Sequence, residues 1–217
     1  MHGAGSRTVR RRRNHRDCTD AVIDAYAGRI LGWECSTSKT TAFVESAIRQ
    51  AAVIRAREGH PLVGNTIHHS DAGSQYTAWR LGDTLMLSGM VPSIGSVGGA
   101  YDNALAETTI GLYKTEAVRD DSPFRRGPLH RLADVELLTA DWVGWFNNTR
   151  LMHRLGSKPP VEFEADYYAD LTQQPAGVGR PVRTRPGAIQ TAPGSSMIGV
   201  SVGGARYGDP QVRHRAG

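Results

Sequence analysis

The sequence predicts one mixed α/β domain, and three features of its hydrophobic pattern carry that expectation. Two short apolar runs, Ala21-Val22-Ile23-Asp24 and Arg29-Ile30-Leu31-Gly32-Trp33-Glu34-Cys35-Ser36, flank a tight turn, the pattern of an antiparallel hairpin. Phe43, Val44, Ala47, Ile48, Ala51 and Ile54 then recur at helical spacing. A third apolar run, Leu62 to Ile67, has strand length and is followed by further helical stripes. At 217 residues and 39% hydrophobic content the chain is long enough to bury one core.

Residues 1–17 hold six arginines and one aliphatic side chain larger than alanine besides Met1, so they read as a disordered basic arm. The hairpin follows. Ser38 or Thr40 is placed to cap a helix from Thr41 to about Glu58. The strand Leu62 to Ile67 leads to Asp71, Gly73 and Ser74 provide a turn, and Gln75 to Leu87 reads as a helix with Ala78, Leu81 and Leu85 on one side. Val91 to Ile94 is a short strand, and Gly95, Gly98 and Gly99 mark a loop. Leu105, Thr109, Leu112 and Tyr113 define a helix from Asn103 to about Val118, and Leu132, Val135, Leu138, Trp142 and Trp145 another from Leu129 to Phe146. Pro159-Pro160 opens a further short helix. Residues 172–217, with nine glycines and five prolines, read as a disordered tail, which leaves 18–171 as the core. Strand, strand, helix, strand and then helices is the order of a ribonuclease H-like mixed sheet flanked by helices, with its first strand missing.

The net charge of +5 conceals an asymmetry. The arm and the tail carry +5 each and the middle −5, so the basic surplus belongs to the ends and the high pI gives the core little claim on phosphate. Cys18 and Cys35 have no Cys-x-x-Cys spacing and no paired histidines to complete a zinc site, so both are expected to be reduced thiols. No apolar run reaches the length of a membrane span and no signal segment follows the arginines, so a cytoplasmic protein without membrane contact is expected. The glycine loop lacks the Lys-Ser/Thr ending of a phosphate-binding loop, which excludes an ATPase.

Two carboxylates organise the chemistry. Asp71 falls where a strand ends, and Glu107 lies in the first turns of a helix, on the flank of its buried face. Such a pair suits Mg²⁺ or Mn²⁺, hard cations that assist attack on a phosphodiester. The flanks His68-His69-Ser70-Asp71-x-Gly73-Ser74-Gln75-Tyr76 and Tyr101-Asp102-Asn103-Ala104-x-Ala106-Glu107 resemble the second and third acids of the DDE transposases of bacterial insertion sequences, relatives of the retroviral integrase core. The resemblance continues through Trp145-Phe146-Asn147-Asn148-x-Arg150-x-x-His153-x-Leu155 and Pro159-Pro160-x-Glu162-Phe163.

That resemblance implies catalytic and metal-binding roles for Asp71 and Glu107, Mg²⁺ or Mn²⁺ as cofactor, and cutting and joining of DNA strands at insertion-sequence ends and in target DNA. It implies phosphate contact by Lys114, with Arg150 or His153 approaching the DNA backbone. His153 falls one place later than the family pattern has it. The family's first aspartate, on a preceding strand, has no counterpart in residues 1–10. Asp17, Asp20 and Asp24 are the nearest acids, and Asp24 matches a non-catalytic position. The expectation is a transposase core lacking its beginning, with little turnover alone, acting as a homo-oligomer or with an intact transposase. Two other readings stay open: a non-catalytic DNA-binding or oligomerising remnant that modulates an intact enzyme, and a remnant that does not fold stably.

Overall fold

The computed structural model describes residues 18–38, 40–64, 66–70, 79–94, 99–173 and 200–201. The expected α/β class is borne out. Strand β1 (Cys18–Ile23) pairs antiparallel with β2 (Ile30–Ser36), in register from Cys18 opposite Ser36 to Val22 opposite Gly32, with a shift before Ile23 opposite Ile30. The connecting turn is built by Asp24, whose Oδ1 accepts the N–H groups of Tyr26 at 2.8 Å and Ala27 at 2.9 Å. Helix α1 (Thr41–Arg57) lies across the hairpin, closest at Gly32, where a Cβ would stand 2.0 Å from the Ala47 carbonyl oxygen. Glycine there sets the depth of strand–helix packing. Thr40 occupies the cap position without a side-chain bond to the helix, so burial of the apolar stripe, rather than a cap, fixes this helix. Val22, Leu31, Phe43, Val44, Ala47, Ile48 and Ala51 form one core cluster with Leu81, Leu85 and Met90.

Strand β3 (Thr66–Ser70) begins later than the apolar run suggests. Leu62 is partly buried against the first cluster without strand pairing, and the chain turns at Gly64, whose N–H donates to the Gly89 carbonyl at 2.9 Å. Apolar character here reports packing, not extension. Inside β3 the buried positions are Thr66, His68 and Ser70, while Ile67 faces out. Helix α2 (Trp79–Leu87) carries the chain to β4 (Met90–Ile94), which runs parallel to β3. The expected helix residues 75–78 lie outside the described residues.

Helix α3 (Gly99–Leu112) starts earlier than predicted and continues as a π-helix over Tyr113–Val118. Helix α4 (Leu132–Asn148) starts later, because the Asp134 carboxylate accepts the N–H groups of His130 at 3.0 Å and Arg131 at 2.9 Å and so closes its first turn. Those bonds hold the Asp134 carboxyl below its ordinary range. Asn147 ties α4 to β2: its Oδ1 accepts the Ile30 N–H at 2.9 Å and its Nδ2 donates to the Ile30 carbonyl at 2.8 Å. A 3-10 turn (His153–Leu155) precedes α5 (Pro160–Gln173), a longer helix than expected. A second core cluster joins Ile23 and Ile30 to Tyr113, Ala117, Leu138, Trp142, Val143, Phe146, Met152 and Leu155.

Three elements meet at one hydroxyl. Thr139 Oγ1 donates to the Val135 carbonyl at 2.7 Å, so its lone pairs receive the Tyr113 hydroxyl at 2.6 Å and the Cys35 thiol at 3.4 Å. Burial pushes the Cys35 thiol up to about 11, against the opposing bonds from Thr139 and Thr19.

The expectation of a wholly disordered tail is corrected at one point. Val200–Ser201 forms strand β5, parallel to β3, with Val200 opposite His69 and Ser201 opposite Ser70. The three-stranded sheet thus has the order β4-β3-β5 beside the β1-β2 hairpin. The basic arm and the rest of the tail lie outside the described residues.

Candidate functional site

Strand β3 ends at Ser70, one residue before Asp71, which lies outside the described residues. Helix α3, which carries Glu107, packs against β3 and β5. The fold therefore brings the strand leading to the first expected acid beside the helix bearing the second. Glu107 is exposed between buried Ala106 and Thr109, and no hydrogen bond or ion pair among the described residues engages its carboxylate. Glu107 thus lies on the flank of a buried helical face, the position the sequence predicts for it.

Lys114 is exposed on the π-helical segment, and His153 is exposed on the 3-10 turn. Arg150 is in a different situation. Its Nε donates to Glu116 at 3.0 Å and 3.1 Å, its Nη2 donates to the same carboxylate at 2.7 Å, and its guanidinium lies 5.8 Å from the centre of the Phe146 ring. Trp142 Nε1 adds a third donor to Glu116 at 3.2 Å. The Arg150 fork is committed to Glu116, and through it Arg150 fastens the segment that presents Lys114. Glu116 escaped the sequence reading because its two partners lie 26 and 34 residues away.

Asp24 is accounted for structurally. Arg55, with its side chain 1% exposed, donates through Nη2 to Asp24 Oδ2 at 2.5 Å and lies 2.5 Å from Glu164 Oε1. Arg29 bridges the other side, from Glu164 Oε2 at 2.6 Å to Glu58 Oε1 at 2.5 Å. Burial raises the Asp24 carboxyl above its ordinary range despite the Arg55 charge and the two turn N–H bonds. Burial pushes Glu164 the same way, but bonds and charges from Arg55 and Arg29 outweigh it and hold that carboxyl low. This network clamps the hairpin turn, the end of α1 and α5 together, which leaves Asp24 unavailable as a ligand. The signal for it was present, since Arg55 falls at helical spacing from Ala51 in the apolar stripe.

His68 is 1% exposed, neither ring nitrogen has a partner, and burial lowers it to about 4 with a smaller push from His69. It is a neutral core residue of β3, placed on the central strand of the sheet and not at an edge. Among the described residues no group of three His, Cys, Asp or Glu side chains is arranged to hold a metal ion, and no helix is long and apolar enough to cross a membrane.

No family model matches the chain. It is 49% identical over 156 residues to the Mycobacterium tuberculosis protein of insertion sequence element IS986/IS6110, an alignment covering 72% of this chain and 54% of that protein. It is 44% identical over 150 residues to the Shigella sonnei transposase for IS629, covering 69% of this chain and 47% of the relative. The Lactococcus lactis transposase for IS904 is 31% identical over 143 residues, 65% of this chain and 52% of the relative. The chain thus spans about half the length of the curated relatives it matches. Among solved structures, the catalytic core domain of BIV integrase aligns with a TM-score of 0.49 at 17% identity over 70% of this chain and 87% of that one. The HTLV-2 integrase catalytic core in complex with magnesium aligns at 0.47 and 18% identity over 65% and 81%. With nearly half of the aligned residues shared over most of its core, the chain is a homologue, over about half of their length, of transposases of bacterial insertion sequences.

Proposed function

We propose that this chain is the catalytic core portion of a DNA transposase that cuts and joins phosphodiesters at insertion-sequence ends and in target DNA. The observation that carries the reading is the packing of α3, with its open Glu107 carboxylate, against the strand whose next residue is Asp71. Carboxylate oxygens are the right donor type for Mg²⁺ or Mn²⁺, and Asp71 and Glu107 are the pair that would hold it. Bound there, the cation would supply charge stabilisation for the attacking and leaving oxygens of an in-line displacement. Lys114 and His153, both exposed, are the groups we assign to the DNA backbone, while Arg150 positions the Lys114 segment. A partner copy or a longer transposase is the proposed assembly, and the exposed Trp79, Met86 and Leu87 of α2 are available to it.

A third carboxylate is not identified among the described residues. Asp24 is locked in its ion network and Asp20 is fully buried, so the chain alone is expected to turn over slowly. Losing one ligand of the set corresponds to several kcal/mol in the barrier, or orders of magnitude in rate. Two measurements test the reading. Mn²⁺ binding, followed by electron paramagnetic resonance, is expected to be lost in Glu107→Gln and Asp71→Asn; unchanged binding in both would remove the metal site. A Mg²⁺-dependent strand-transfer assay on element-end DNA is expected to give little product, and robust product abolished by Glu107→Gln would overturn the expected low turnover.

A further inference from the structure

Between the hairpin turn, the 3-10 turn and α5 lies a cavity of about 210 Å³ to which nothing above assigns a role. Its wall is aromatic. Tyr26 reaches from the hairpin turn to α5, with its ring centre 5.3 Å from that of Phe163 and 5.0 Å from that of Tyr167, and Leu155 and Gly156 complete the lining. Tyr26 is nonetheless 52% exposed, so these rings form an open wall and not a sealed core. Over Gly156 no heavy atom of the described residues lies within 4 Å of where a Cβ would stand, so the space beside the turn is unfilled.

The rim carries charge. Lys158 Nζ lies 2.5 Å from Asp166 Oδ2 and 3.4 Å from Glu162 Oε1, so carboxylates of α5 already hold one cation at this rim. Asp170 lies one helical turn beyond Asp166 on the same face and also lines the cavity. It is exposed, and no hydrogen bond or ion pair among the described residues engages it. Of the charged groups in the lining, Lys158 and Asp166 neutralise each other and Asp170 is left as the net charge.

Size, wall and charge together select the ligand. Sites for drug-sized molecules run from about 300 to 1,000 Å³, so this smaller cavity suits a single side chain. Aromatic ring faces attract a cation, and a carboxylate beside them supplies the counter-charge. A planar guanidinium meets both demands at once, because it stacks on a ring while its N–H fork engages the carboxylate, whereas an ammonium is more strongly hydrated and has no plane to stack. A nucleobase would stack on the same rings, but the phosphates attached to it would meet the unpaired Asp170. We propose that this cavity is a docking site for an arginine side chain presented by a partner protein, stacked on the Tyr26–Tyr167 wall and paired with the Asp170 carboxylate. None of the elements that build it carries Asp71 or Glu107, so it stands independently of the metal reading.

Chemical-shift titration of the nitrogen-15-labelled full chain tests the site, with N-acetylarginine amide as the probe. Saturable shifts are expected at the amides of Tyr26, Gly156, Tyr167 and Asp170, with N-acetyllysine amide binding more weakly. Asp170→Asn removes the counter-charge and should weaken the arginine probe about 3-fold. Tyr26→Leu keeps apolar bulk but removes the ring face, and should weaken it by about 3-fold as well. An absence of saturable shifts at these four amides would overturn the proposal, and so would equal binding of the two probes that ignores both substitutions. A tighter response to cytidine than to the arginine probe would make the cavity a base-stacking site and overturn it too. Should Tyr26→Leu fail to fold, the exposed Asp170→Asn variant decides.

Discussion

Replacing Arg55 by methionine is the sharpest test of how the hairpin, α1 and α5 are held together. The guanidinium lies 2.5 Å from both Asp24 and Glu164, and all three side chains are nearly sealed from solvent, at 1%, 6% and 7% exposure. Removing one member of a buried pair leaves the other charge without compensation, a loss of about 3–5 kcal/mol. Glu164 keeps Arg29 at 2.6 Å, so the stranded group is chiefly Asp24. With a urea slope of about 2 kcal/mol per molar, the midpoint should fall by about 2 M with the slope unchanged. The pH dependence adds a sign. Asp24 already has a raised carboxyl, and without Arg55 it rises further. A group raised in the folded state favours folding below its unfolded value and loses that contribution as pH rises through the folded value. The variant should therefore lie closer to the parent near pH 4 than at pH 7. Asp24→Asn in the same background should recover part of the loss. A midpoint shift below about 0.5 M, or strict additivity of the two substitutions, would refute this account of the network.

Other outcomes follow from the same structure. His68 is held near 4, below its unfolded value of about 6.5, so the folded state binds fewer protons and stability should fall by about 3 kcal/mol as pH drops from 7 to 4; His68→Phe should flatten that part of the urea-midpoint profile. Gly32→Ala drives a methyl group into the Ala47 carbonyl and should cost about 1–3 kcal/mol in thermal or urea unfolding, whereas Gly82→Ala, with open space around it, should be near neutral or stabilising. Lys114→Ala should leave the melting temperature unchanged while reducing the salt slope of DNA binding by about 1, read by fluorescence anisotropy. Glu116→Gln should weaken the Arg150 clamp and lower both stability and DNA affinity, and restoring neither with Arg150→Gln would confirm that the two act as a unit.

Much of the fold was legible because its periods are clean. The hairpin and the stripe from Phe43 to Ile54 appear, since each buries one face against the other, but the first strand runs from Cys18 to Ile23 and so begins three residues before the apolar run 21–24. Element ends were less legible. Leu62 looked like strand because it is apolar, yet it packs on the core from a turn, and β3 is extended through Thr66, His68 and Ser70, whose inward polar side chains invert the usual alternation. Of the site, the position of Glu107 on an exposed helical flank could be read from its neighbours. The commitments of Arg150 and Asp24 could not, because their partners Glu116, Arg55 and Glu164 are joined to them only by the tertiary fold. The tail strand was hidden by composition: the glycines and prolines around it outweighed the short alternation Ile198, Val200, Val202.

The sulfur at the junction of β2, α4 and the π-helical segment gives the molecule a built-in clock. Sealed among hydroxyl groups and pushed to about 11, the Cys35 thiol is inert to alkylating or disulfide reagents while the domain is closed. Its modification rate at neutral pH therefore counts how often these layers part, and a chain that slows the count on binding DNA reports coupling between the interior and the surface without any added probe.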